Sequence, residues 1–446
     1  MKGYTRWDFH PYIPYADIRK KGCPYISLLA PSETGLTAEW YCDCGEDNAL
    51  VFFRERDTIE FTKKEISGKR FTLSDLKENC EYELFVRDKL GRESAVRLVE
   101  TGYVPGNVIN YLHPEDPAYE FSGQYLCSPS IVRVDENILI ASCDVFRGRR
   151  PQNLSLIFRS DDNGQTWSNI SELFPCFWGR LFLHKGALYM LATSTEYGDL
   201  LIGRSDDLGV TWTVPTVIAR GSSSVEEDGF HKAPVPVVSI RGRLYSAVEY
   251  GCWHKKRYAN VVVSVDEDAD LLRAENWTVS DPTIFDLNWE GAIKDIRPAA
   301  IEGNIVEMPD STVVNFLRYA PEKALMLRVD TVNPDNAPEF VSFVDFPFAH
   351  TKFEIMRVPG KGYYACGNRI PRRNVLSLAH SEDMLNWTIA KDLIDYSHLS
   401  PDFVAFQYPT SFIEGNKLIV ASRTAFNKSK SFHDSNYLTF HEFDID

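Results

Sequence analysis

Three stretches of the sequence set ionisable or phenolic side chains at the ends of short apolar runs broken by turn residues. Such runs read as β-hairpins whose ends can carry chemistry. The first leads from Glu302 through Gly-Asn-Ile-Val-Glu-Met-Pro-Asp-Ser-Thr-Val-Val-Asn-Phe-Leu to Arg318, a carboxylate and a guanidinium bracketing one hairpin. The second is Arg372-Arg373-Asn374 before Val-Leu-Ser-Leu, with Arg369 close by. The third is Phe406-Gln407-Tyr408-Pro-Thr-Ser-Phe-Ile-Glu-Gly-Asn-Lys-Leu-Ile-Val-Ala-Ser-Arg423. A carboxylate can accept a proton, and a guanidinium can bind carboxylate or hydroxyl oxygens. A phenol, with a pKa near 10, attacks at neutral pH only if a carboxylate takes its proton and cations stabilise the phenolate. Against this stand the ordinary alternatives: surface charges on strands, and a core position for any one of 21 tyrosines.

Further candidates lie outside these hairpins. Asp144 is followed by Arg147, Arg149 and Arg150, either a positive rim or a solvated loop. His231-Lys232 opens a later segment that ends in Glu249-Tyr250 and Trp253-His254, and His433-Asp434 lies near the end of the chain. For either histidine a satisfied structural role is the ordinary expectation. No phosphate-binding loop, dinucleotide fingerprint, zinc motif or EF-hand loop occurs, so no cofactor and no metal is expected from a linear motif.

The elements that must position these groups are strands. Helical periodicity is nearly absent. Alternating runs such as Ala187–Thr193, Arg243–Glu249 and Lys417–Ser422, bounded by Gly, Asp and Asn, predict half-buried strands ending in turns. Aromatic residues make up 13% of the chain, in keeping with an all-β fold. At 446 residues the chain is expected to hold two domains. Residues 24–102 place Trp40 on an early strand and Tyr82 at the opening of the alternating stretch Tyr-Glu-Leu-Phe-Val, after Leu76. This resembles a fibronectin type III sandwich, in which such a Tyr makes a corner hydrogen bond, and its expected part is that of a spacer or docking module. The predicted boundaries are a sandwich with an N-terminal extension over 1–103, a Pro-rich linker over 104–120 and a repeat region over 121–446.

The repeat is Ser160-Asp-Asp162-Asn-Gly164-Gln-Thr166-Trp167, echoed by Ser205-Asp-Asp207-Leu-Gly209-Val-Thr211-Trp212, by the weaker Ser381-Glu-Asp383-Met-Leu-Asn-Trp387, and by an eroded copy at Ser264-Val-Asp266 with Asn276-Trp277 beyond. In each, Asp accepts N–H bonds across a turn, Gly takes positive φ and Trp packs beneath. The pattern resembles the Asp-box of sialidase-like propellers, where it is structural. Blade-length spacing over about 325 residues then implies a six-bladed β-propeller, with five or seven blades as the alternatives, following the small N-terminal β-sandwich.

That resemblance implies roles. In sialidases a Glu and an Arg end one blade's inner hairpin, a further Arg heads a later strand, and the last blade presents a nucleophilic Tyr. By this similarity Glu302 is the base, Tyr408 the nucleophile, Arg318 and Arg373 substrate binders, and Asp144 the proton donor. Arg147, His231, Glu249, Gln407 and His433 are added as candidates to contact substrate. The sequence departs from the pattern at two places. Cys127, in Leu126-Cys127-Ser128-Pro129, stands where sialidases have the first Arg of a carboxylate clamp, and Arg423 stands close to the Glu that steadies it. The expectation is therefore an exo-acting glycoside hydrolase other than a true sialidase. A lyase acting on a uronate-containing glycan and a non-catalytic glycan-binding propeller are the rivals.

Bulk properties narrow the partners. Lys plus Arg is 48 and Asp plus Glu is 63, a net charge of −15. Such a charge argues against nucleic acid or an anionic membrane as the main partner; the expected partner is the carbohydrate that the sialidase-like resemblance implies. Nine cysteines without pairwise spacing predict free thiols and, with no apolar leader, a cytoplasmic setting; a leader removed from a longer chain would imply secretion or the periplasm.

Overall fold

The computed structural model describes residues 22–42, 45, 47–255, 257–294 and 300–445. Among these residues the only helices are two short 3-10 turns, and every other element is a strand. Two small sheets form the N-terminal β-sandwich. Tyr25–Ser32, Gly35–Tyr41 and Arg70–Leu73 make one; Thr62–Ser67, Asn48–Glu55, Glu81–Asp88 and Arg97–Glu100 make the other. Trp40 is buried between them, and the Lys77 N–H donates to the Tyr82 hydroxyl at 2.8 Å.

Six antiparallel sheets follow as blades 1 to 6, with innermost strands Tyr125–Asp135, Phe177–His184, Gly229–His231 continued by Val238–Ile240, Ile301–Glu307, Glu354–Val358 and Ala405–Glu414. The chain is a six-bladed β-propeller. Its ring is closed by Asn107–Tyr111, which pairs with the C-terminal strand Tyr437–Asp444 as the outer strand of blade 6. The expected linker over 104–120 is thus corrected, because its apolar centre is a strand whose partner lies at the far end of the sequence. Joining first and last strands in one sheet removes the free edges an open ring would leave.

Stacked blades bury both faces of their inner strands. Leu139, Cys143, Leu156 and Phe158 of blade 1, for example, pack against Ile419, Ala421, Leu438 and Phe440 of blade 6. The run Ala187–Thr193 is accordingly buried at every position rather than on alternate ones, a correction to the half-buried reading.

The Ser-x-Asp turns share one geometry. The Ser160 hydroxyl donates to Asp162 at 2.7 Å and accepts from the Gly164 N–H at 2.7 Å; the Thr166 N–H donates to Asp162 at 2.8 Å, and Trp167 Nε1 to the Gly164 carbonyl at 3.1 Å. Ser205 to Trp212 repeats these bonds, and Ser381 to Trp387 keeps a shortened version.

The sandwich docks on blade 1, where Glu39 accepts from the Ser168 hydroxyl at 2.7 Å and the Asn169 N–H at 2.9 Å. The buried pair Arg97–Asp116, at 2.6 Å, ties its last strand to the segment entering blade 1. Seven described cysteines are free and Cys42 is disulfide-bonded, so the expectation of free thiols throughout does not hold.

Candidate active site

Four blades begin their innermost strand with the same irregularity. At Ser128, Trp178, Glu302 and Tyr408 the backbone is left-handed, with φ of 49°, 52°, 60° and 52°. The next residue in each case is a Pro or Gly: Pro129, Gly179, Gly303 and Pro409. Pairing with the neighbouring strand slips at each place, between Ser142 and Asp144, Phe177 and Arg180, Ile301 and Asn304, and Gln407 and Thr410. A left-handed non-glycine residue costs of order 1 kcal/mol or more. A bulge also re-aims its side chain out of the strand's alternation. Blade 5 separates blades 4 and 6, so Glu302 and Tyr408 can touch only near the propeller axis.

They do touch. The Tyr408 hydroxyl donates to Glu302 Oε1 at 2.7 Å, and Arg318 donates to Glu302 Oε2 at 2.5 Å. Glu302 is 2% exposed, and its own N–H donates to Glu249 Oε1 at 2.8 Å, which fixes the bulge. Burial alone would raise the Glu302 carboxyl, but the Arg318 charge and the bonds from Tyr408 and Arg318 outweigh it, and its pKa lies below the ordinary value. The Tyr408 phenol is raised by burial and by Glu302, against the opposing pull of Arg318, Arg373 and Arg423. At rest the proton therefore belongs to the phenol.

The guanidiniums of Arg373 and Arg423 stand 5.5 Å and 5.3 Å from the Tyr408 ring centroid. Arg373 is held by Gln407 Oε1 at 2.6 Å, and Gln407 also donates to the Phe432 carbonyl and the Ser435 hydroxyl. Gln407 is fully buried, so it positions Arg373 instead of meeting substrate as expected. Arg423 lies 4.5 Å over the Phe146 ring and donates to the His433 carbonyl. Neither arginine has an ion-pair partner among the described residues, and the Nε of each is buried without a hydrogen bond. Burial, together with Arg318 and Arg423, pushes Arg373 down to about 10. The departure expected to empty the first clamp position has a counterpart here. Cys127 is buried among Tyr125, Phe146 and Phe177, while Arg423 puts a third guanidinium beside the phenol.

On the other side of the axis, His231 Nδ1 bonds Glu249 Oε2 at 2.9 Å, and both side chains are buried. The pair supports the Glu302 backbone. Asp144 is corrected: it lies within the strand Ile138–Phe146 instead of the following loop and is 1% exposed. Its oxygens accept from the Ser155 hydroxyl and from the Trp178 N–H, the latter at 2.6 Å, so it is sealed from a leaving group. Arg147 bonds Gln124 and lines a cavity of about 560 Å³ with Glu81, His113 and Lys428, beside the sandwich. His433 is half-exposed, bonds Asp434 at 2.9 Å and meets the Phe146 ring edge-on at 5.5 Å.

Sequence reasoning passed over Trp178 and Lys232 as site residues and read Arg423 only as a loss. The available signal was the blade register: Trp178-Gly179 occupies the place of Glu302-Gly303 and Tyr408-Pro409. Among the described residues no three His, Cys, Asp or Glu side chains converge to hold a metal.

No protein-family model and no curated protein sequence matches the chain. Solved structures do resemble it. A Hadza microbial sialidase shares 13% identity over 95% of this chain and 94% of its own, with a TM-score of 0.51. The Penicillium chrysogenum α-L-arabinanase complexed with arabinobiose shares 13% over 77% and 98%, at 0.50. The NanB sialidase of Streptococcus pneumoniae shares 11% over 95% and 93%, at 0.50. The fold of this chain is the sialidase-like β-propeller.

Proposed function

We propose that this chain is an exo-acting glycoside hydrolase of the sialidase-like superfamily, working through Tyr408 as nucleophile and Glu302 as its base. The carrying observation is the 2.7 Å bond from the phenol to a carboxylate that Arg318 holds from its other side. Sialidases are the tyrosine-nucleophile exception among glycosidases, and the Ser-x-Asp turns read as the Asp-boxes of that superfamily. The sandwich reads as a fibronectin type III-like docking module.

In the first step the Tyr408 oxygen bonds the anomeric carbon while its proton passes to Glu302 and the glycosidic bond breaks, the leaving oxygen departing with the electron pair and taking its proton from solvent. With the phenol raised and the carboxyl lowered, transfer is timed with attack, when Arg318, Arg373 and Arg423 stabilise the developing phenolate. In the second step water attacks the same carbon and releases one proton to solvent, and Tyr408 leaves with the proton returned from Glu302. The course is net retention. Two residues beyond Trp178, the partly exposed Arg180 pairs with buried Glu354 at 2.7 Å, and buried Lys352 pairs with the same carboxylate at 2.9 Å.

A panel of 4-nitrophenyl glycosides, neutral and acidic, tests the reading with a leaving group that needs no protein acid. Release of nitrophenol by the wild type and its loss in Tyr408→Phe are expected. Turnover unchanged in both Tyr408→Phe and Glu302→Gln overturns the mechanism. The guanidiniums around the phenol also suit proton abstraction from a uronate; an unsaturated product absorbing in the ultraviolet would assign a lyase instead. Binding without any turnover would assign glycan capture.

A further inference from the structure

Trp178 occupies the register position that Glu302 and Tyr408 hold in their own blades, with the same left-handed backbone and the same register slip. Two positions further along its strand, Arg180 reaches across the axis to Glu354 of blade 5 at 2.7 Å, so this strand faces the centre. The Trp178 peptide is gripped at both ends by buried ionisable groups. Its N–H donates to Asp144 at 2.6 Å, and its carbonyl accepts from Lys232 Nζ at 2.9 Å. Both groups are sealed from solvent. Burying a carboxylate and an ammonium is unfavourable even when they are bonded, and here the bonds converge on one strained peptide.

The indole heads an aromatic cluster. Trp178 meets His231 at 4.5 Å, and His231 meets Tyr258 at 4.9 Å and Trp253 at 5.8 Å. His231, Tyr197 and Tyr258 are buried, whereas Trp178 is partly exposed. The groups near the axis are therefore of two kinds. Blades 4 and 6, with Arg373 from blade 5, bring guanidiniums and the phenol; blades 2 and 3 bring rings.

We infer that Trp178 is a substrate-binding residue that stacks on the apolar C–H face of the sugar ring, with Asp144 and Lys232 as the residues that position it. The inference rests on the hydrolase reading only for the identity of the ligand as a sugar. An indole offers a flat apolar surface with little conformational entropy to lose, which suits the C–H face of a pyranose or furanose. Substrate polar groups would then turn toward Arg318, Arg373 and Arg423.

Binding measured separately from turnover tests this. Calorimetric titration of the Tyr408→Phe chain uses a panel of free monosaccharides: neutral hexoses, pentoses, uronic acids and sialic acid. For whichever sugar binds, adding Trp178→Ala is expected to weaken affinity about tenfold or more, and adding Trp178→Phe to restore most of it. Lys232→Met, which frees the Trp178 carbonyl without leaving a buried charge, is expected to weaken affinity in the same direction. The ligand-induced change in tryptophan fluorescence should vanish in Trp178→Phe, a readout that a purely structural role leaves intact. Unchanged affinity in a folded Trp178→Ala chain overturns the inference, as does the absence of binding by every sugar tested. Loss of affinity without hydrolysis of any glycoside by the wild type would sink the hydrolase and leave the stacking residue standing.

Discussion

The Tyr408 hydroxyl and the Glu302 carboxylate are joined at 2.7 Å across a separation of 106 positions in sequence. Removing either end should stop turnover and leave the fold intact. Tyr408→Phe deletes one oxygen from a half-buried ring, and Glu302→Gln keeps the shape of the acceptor. Each is expected to lower kcat about a hundredfold to ten-thousandfold, checked by initial rates on the best aryl glycoside with thermal melting as a control for folding.

The acid limb of the pH profile should report Glu302. As the proposed base, Glu302 must be ionised before substrate binds, and its pKa is held below the ordinary 4.5 by Arg318 against burial. As pH falls, activity should therefore persist past 4.5 before it is lost. In Arg318→Met the lowering charge is gone and burial remains, so the limb should move to higher pH. A kcat/KM profile that does not move on that substitution would show that another group sets the limb.

Arg423 offers a test of what the pocket holds. Of the three guanidiniums only Arg318 has a carboxylate partner among the described residues, Glu302, and Arg373 is pushed down to about 10 partly by its like-charged neighbours. Arg423→Met should weaken binding of an acidic sugar or carboxylate inhibitor roughly tenfold to a hundredfold, the worth of a hydrogen bond to a charged group. It should do so without lowering the melting temperature, because it relieves repulsion in the empty site. Comparing KM for acidic and neutral glycosides separates a contact with substrate charge from general damage.

The propeller was legible because its turn is local: Ser160, Asp162, Gly164, Thr166 and Trp167 make their bonds within one short segment. The outer strand Asn107–Tyr111 was not, since its partner Tyr437–Asp444 lies at the other end of the chain. At the site, Glu302 and Arg318 share a hairpin, so their juxtaposition follows from strand pairing. Asp144 shows the limit of that logic. Placing it in the strand instead of the loop beyond turns the carboxylate from the pocket into the protein. Trp178 was hidden for a different reason. A tryptophan on a strand reads as core, and only alignment of the bulges across blades separates it from Trp167, which is core.

Asp144 and Lys232 should leave a signature in the pH dependence of stability. Burial raises the Asp144 carboxyl from 3.8 to about 7, and burial, aided by Arg180, lowers the Lys232 ammonium from 10.5 to about 7. Between pH 3.8 and about 7 the native chain keeps a proton on Asp144 that the unfolded chain has lost, so stability falls as pH rises through that window. Between about 7 and 10.5 the unfolded chain holds a proton on Lys232 that the native chain has released, so stability rises. The pair thus places a minimum near neutrality. Relative to wild type, Asp144→Asn should gain stability from pH 4 to 7, of order 4 kcal/mol, and stay level above it. Lys232→Met should flatten the upper window. Urea unfolding of the three chains at closely spaced pH values reads the differences directly, and parallel curves would mean that neither group changes protonation on folding.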